Sequence, residues 1–80
     1  MNVEERNLAL RDVFARSLGI AVEQVTDDLE YNKVKEWDSV AHMALVAAID
    51  QAFDIMLETE DVLDLSSFAK AKAIVAKYGG

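Results

Sequence analysis

A chain of 80 residues, 52% apolar and 29% charged, is large enough for one small domain, 1–80, and too apolar to be disordered. It has no cysteine, which excludes a disulfide framework and a thiolate metal site; the apolar core alone must stabilise the fold, and any sulfur chemistry must come from a cofactor. The net charge of −7 is concentrated in residues 27–64, eleven acids against two lysines, a field that argues against nucleic acid as a partner and favours a basic protein surface.

Proline is absent and glycine occurs only at 19, 79 and 80, which favours helices joined by polar connections. The first helix is predicted over 3–17, where Val3, Leu10, Val13, Phe14 and Leu18 recur at near-helical spacing. Glu4 and Glu5 suit its positive N-terminal end, and Gly19 suits a left-handed C-cap. Residues 20–37 form a mixed connection, too long to be structureless unless it is functional or tied down, and Ile20, Val25, Leu29, Val34 and Trp37 are its candidate tethers. The second helix is predicted over 39–53, capped by Asp38, with Leu45, Val46, Ile49 and Phe53 as its apolar stripe and Asp54 at its end. A short turn of helix fits Thr59 to Leu63 with Thr59 as cap. The last helix fits 67–78, with Ser66 as cap and Phe68, Ala71, Ile74, Val75 and Tyr78 on its buried face. Lys77 lies near its C-terminal end, where cations are favoured, and Gly79-Gly80 lets the chain fray.

The expected fold class is therefore all-α: a small antiparallel bundle of three longer helices plus one short helix, with a long loop between helices 1 and 2. No apolar run reaches the roughly 18 residues of a membrane span. The opening Met1-Asn2-Val3-Glu4-Glu5 lacks the basic flank and apolar stretch of a signal peptide, so the expected location is the cytoplasm.

An acidic cap followed by serine at a helix start, Asp38-Ser39, is commonplace in itself. Its setting is more specific. An amphipathic helix ends in Leu18-Gly19-Ile20, an acidic loop follows, Asp38-Ser39-Val40 opens a second amphipathic helix, Phe53-Asp54 closes it, and a short acidic helix precedes a terminal one. Over nearly the whole chain this order resembles the acyl carrier protein family, whose attachment motif reads Asp-Ser-Leu where this chain has Asp38-Ser39-Val40. The run Trp37-Asp38-Ser39-Val40-Ala41-His42-Met43 looks like the motif of carriers dedicated to specialised pathways.

The resemblance implies that Ser39 carries a covalent 4′-phosphopantetheine arm, delivered from coenzyme A by a phosphopantetheinyl transferase. The arm's thiol would hold an acyl group for loading and transferring enzymes that dock through basic or apolar patches. An aminoacyl or peptidyl carrier would use the same arm and serine, and an unmodified helical interaction module is the reading from a different class. Asp38 is expected as motif residue and cap, and Trp37, Val40, His42, Met43 and Ala47 as residues flanking the arm or touching partners. A monomer without metal is expected. Trp37 suits a packing anchor for the loop as well as a flank to the arm. Ser39 and His42, three apart on one helix, could be neighbours as a nucleophile and its base. The chain has a single histidine and no evident orienting group or oxyanion hole, so no enzymatic activity is expected.

One departure stands out. Many carriers have an acidic second helix, but here Val40 to Ile49 holds no acid, lysine or arginine. Val40, Ala44, Ala47 and Ala48 fall away from the core stripe and are expected to form a shallow apolar patch beside the arm. Charge moves to a rim of Asp27, Asp28, Glu30, Glu36, Asp50, Glu58, Glu60, Asp61 and Asp64. A specialised partner set is the expectation. Met43, Val46, Ile49, Leu63, Phe68 and Ile74 are candidate linings for a buried acyl chain, or simply fill the core.

Overall fold

The computed structural model describes residues 2–78; the Gly79-Gly80 end lies outside the described residues. Four α-helices follow in order, α1 Val3–Leu18, α2 Ser39–Phe53, α3 Thr59–Asp64 and α4 Phe68–Lys77, with a 3-10 turn at Val22–Gln24. They form a small helical bundle, and no helix among the described residues is long and apolar enough to cross a membrane.

Asn2 caps α1, its side chain accepting from the Glu5 N–H at 2.8 Å. Leu10, Phe14, Ala15 and Leu18 make the buried face. Val3, expected on that stripe, is exposed along with Glu4 and Glu5. Gly19 ends α1 at φ 68°, left-handed, and its N–H returns to the Ala15 carbonyl. A Cβ there would meet nothing within 4 Å, so only backbone conformation selects glycine.

The connection from α1 to α2 is tied down at intervals. Val25, Leu29 and Trp37 are buried, while Ile20 and Val34 are half-buried. The Arg11 side chain donates to the Val22 carbonyl at 3.0 Å, and Lys72 pairs with Asp27 at 2.7 Å. Glu30 pairs with Ser67 in an isolated antiparallel bridge, in which the Tyr31 N–H donates to Ser66 and the Phe68 N–H to Leu29. The loop is thereby clipped to the junction between α3 and α4.

α1 packs on α2 and α4. At the centre, Phe14 meets Trp37 edge-on at 5.3 Å and Phe68 at 5.1 Å. Each such fully buried large side chain contributes about 1.5–3 kcal/mol by leaving water. α4 buries Phe68, Ala71, Ile74 and Val75, four of the five residues expected on that face. Two caps fall one residue from their predicted places. Ser67, not Ser66, caps α4 by accepting from the Lys70 N–H at 3.0 Å, because the Ser66 carbonyl is already committed to the loop bridge. Glu58, not Thr59, stands at the N-cap of α3, where its N–H donates to the Tyr78 hydroxyl.

Candidate functional site

Ser39 is the first residue of α2 and is exposed. Asp38 holds the helix start from outside: its Oδ1 accepts the Ala41 N–H at 2.8 Å and its carbonyl accepts the His42 N–H at 2.9 Å. The positive end of the helix dipole therefore lies beside the Ser39 hydroxyl, where an added phosphate is electrostatically favoured.

A cavity of about 220 Å³ adjoins Ser39, lined by Tyr31, His42, Met43, Val62, Leu63 and Leu65. Of these, the sequence singles out His42 and Met43 beside Ser39, and Leu63 with Met43 as candidate lining for an acyl chain. Tyr31 is brought in by the loop bridge, and Val62 and Leu65 by the position of α3, neither of which a local pattern reveals. A larger cavity of about 380 Å³ lies between α1 and α2, lined by Val13, Arg16, Ser17, Ala48, Gln51 and Ala52, and includes none of the residues around Ser39.

Beside Ser39, Val40 is 78% exposed, Met43 63% and Leu63 77%. Ala44 and Ala47 are exposed as well, while Ala48 is half-buried toward α1. Three of the four residues expected on the apolar patch, Val40, Ala44 and Ala47, are thus exposed, and Met43 joins them. The six residues considered as a lining for a buried chain do not share one space. Val46, Ile49, Phe68 and Ile74 are packed in the core, whereas Met43 and Leu63 face the cavity beside Ser39.

Trp37 is fully buried, so it is a packing anchor and not a contact on the surface. Its indole N–H donates to His42 Nδ1 at 3.0 Å, and the His42 ring lies nearly parallel to it at 6.0 Å. His42 Nε2 lies 2.9 Å from the Val62 carbonyl. An indole N–H can only donate and a carbonyl can only accept, so the imidazole is neutral with its proton on Nε2. Both nitrogens are occupied, and the pairing of Ser39 with His42 as nucleophile and base is not formed.

Three of the nine rim acids are structural. Asp27 pairs with Lys72, and Asp50 accepts the Leu57 N–H at 3.0 Å. Asp61 is buried, against the expectation that it lies at the surface, because it bonds both Lys77 and the Tyr78 hydroxyl. Those bonds, from Lys77 first and Tyr78 second, hold the Asp61 carboxyl below its ordinary value of 3.8. The same carboxylate raises Lys77 above 10.5 and Tyr78 above 10.0. No group of three or more histidine, aspartate or glutamate side chains among the described residues is placed to hold a metal ion.

Comparison with known proteins adds one finding. The family model described as "Phosphopantetheine attachment site" matches residues 9–73, which includes α2, the cavity and all but the start of α1 and the end of α4. No curated protein matches the chain.

Proposed function

The chain belongs to the phosphopantetheine-attachment family, and on that premise we propose that Ser39 is the residue that takes the arm and that the arm carries an acyl group for a dedicated pathway. Membership makes the chain a carrier domain for covalently attached 4′-phosphopantetheine, which works with a phosphopantetheinyl transferase and with partner enzymes. When bound, the group supplies a thiol on a long flexible arm, able to hold an acyl group as a thioester.

The observation that carries the reading is the placement of Ser39: exposed, at the first turn of α2, capped by Asp38 and open to the adjoining cavity. The Ser39 oxygen forms a bond to the pantetheine-side phosphorus of coenzyme A. The pyrophosphate P–O bond breaks, and adenosine 3′,5′-bisphosphate leaves. The hydroxyl proton passes to a base on the transferase, since both nitrogens of His42 are engaged. Asp38 keeps the first turn of α2 in place throughout.

Acyl cargo is favoured over aminoacyl cargo by the chemistry of the cavity. Its wall includes Met43, Val62, Leu63 and Leu65 and no carboxylate, so an ammonium group there would lack a counter-charge. The uncharged exposed face of α2, with Val40, Met43, Ala44 and Ala47, supports partners that dock by apolar contact, with basic groups meeting the remaining acids at the rim.

Intact mass after incubation with coenzyme A, Mg²⁺ and a broad-specificity transferase tests the site. The expected result is a gain of one phosphopantetheinyl group by the wild type and none by Ser39→Ala. An unchanged wild type across several transferases, or a labelled Ser39→Ala, overturns it. Mass spectrometry of protein from its host then identifies the cargo, and an aminoacyl group would replace the acyl assignment.

A further inference from the structure

His42 sits where three elements meet. It lies on α2 three residues after Ser39, accepts from Trp37 at the end of the long loop, and donates to Val62 on α3. Each bond answers a need. The Trp37 indole is fully buried, and an unpaired buried N–H is costly. α3 has only six residues, and a helix leaves its last carbonyls without partners of its own. The Ser66 N–H, four residues beyond Val62, goes instead to the Asp64 carbonyl at 2.7 Å. His42 therefore supplies, from another helix, the donor that the C-terminal end of α3 lacks.

We propose that His42 is a positioning residue for the attachment site: as the neutral Nε2–H tautomer it locks Trp37 and α3 to the first turn of α2, and so fixes the wall of the cavity beside Ser39. The proposal rests on Ser39 as the attachment point. Position 42 must accept from an N–H and donate to a C=O at once. Neutral histidine does both; imidazolium presents two donors, and the bond from Trp37 is lost. The neighbours of the imidazole are the Tyr31 ring from the loop at 5.1 Å, Trp37, and the Val62 carbonyl on α3. Asp61, adjacent to Val62, is turned to Lys77 and Tyr78 and stays ionised down to acid pH, so it does not confuse the titration.

The test uses the apo protein and three variants, His42→Phe, His42→Gln and Ser39→Ala. Trp37 is the single tryptophan, so its indole N–H gives one NMR signal. In His42→Phe, exchange of that N–H and of the last amides of α3 should both quicken about five- to tenfold, the size of one lost net hydrogen bond. The KM for the apo protein as transferase substrate should rise by a similar factor with kcat nearly unchanged. Glutamine can accept and donate without titrating, so His42→Gln should restore both. On acidification the wild type should lose indole protection in step with the ring-carbon shifts of His42, and His42→Gln should not. Exchange that quickens at Trp37 but not in α3, or a KM that stays at the wild-type value in His42→Phe, overturns the proposal. A wild type that takes no arm overturns the reading of Ser39 and with it the positioning role, whereas the tautomer and the exchange coupling are read without the transferase. Should His42→Phe fail to fold, the comparison of wild type with His42→Gln across pH decides alone.

Discussion

Asp61 and Val62 are neighbours on α3, yet they are held in opposite ways. Val62 is held by a neutral corner, in which Trp37, His42 and a backbone carbonyl form a directional chain of hydrogen bonds. Asp61 is held by a charged corner, in which one carboxylate takes bonds from Lys77 and Tyr78. The neutral corner faces Ser39, and the charged corner faces the C-terminal end of α4. A six-residue helix, too short to be stable alone, is thus pinned from both sides by bonds of different chemistry. The two pins fail under different conditions, which makes them separable by experiment.

The largest effect is expected at the base of the neutral corner. Trp37→Ala removes a fully buried indole that also packs on Phe14, and should lower the unfolding free energy by about 3–5 kcal/mol in urea titrations. A loss under about 1 kcal/mol would show that the corner is not part of the core.

The charged corner should respond less, and chiefly through pH. The Asp61 carboxyl is held below its ordinary value by Lys77 and then Tyr78, so its contribution is full above 3.8 and is lost as pH falls through the lowered value. Lys77 and Tyr78 are raised, so their contributions are full below 10.5 and 10.0 and are lost as pH climbs through the raised values. Asp61→Asn should therefore be less stable than the wild type at neutral pH. The gap should close in strong acid and narrow again in alkali. A gap that stays constant across pH in denaturation series would assign the corner to packing and not to charge. Lys77 is well exposed and open to screening but Asp61 is buried, so added salt should shrink the gap only in part.

The smallest effect sharpens the comparison at the helix that both corners serve. Asp38→Ala removes the cap on the Ala41 N–H and should cost about 1 kcal/mol. Faster amide exchange should appear in the first turn of α2, around Ser39, with α3 protection unchanged. Loss of protection in α3 as well would mean that the neutral corner depends on the cap.

Much of this was legible in the sequence wherever the signal is local. Gly19, Asp38 and Asp54 mark helix ends because a left-handed backbone or a capping carboxylate acts on residues three or four away. The setting of Asp38-Ser39-Val40, by contrast, was read from the order of elements along nearly the whole chain and its resemblance to a known family. What escaped depends on partners far along the chain. Asp61 stands in the acidic run Glu60-Asp61 and reads as surface, until Lys77 and Tyr78 arrive sixteen and seventeen residues later. His42 reads only as a residue flanking the arm or touching partners, because one of its own partners is five residues back and the other twenty ahead. Leu57 and Leu65 flank α3 outside any helical period, yet both are buried. Ser66 and Ser67 are chemically alike, and only the bridge to the loop decides which of them caps α4.

That bridge changes how the serine is delivered. A connection from residue 20 to residue 38 would ordinarily be one slack tether, free to bow outward and carry the start of α2 with it. Clipped at Glu30 to Ser67, it becomes two short spans riveted to the opposite side of the bundle. Swinging the loop away means tearing the α3–α4 junction at the same time, since the Phe68 amide hangs from Leu29 and the Tyr31 amide from Ser66. The acidic loop before Ser39 and the short helix across the cavity from it are thus two flanks of one frame, and a partner that grips either flank pulls on both.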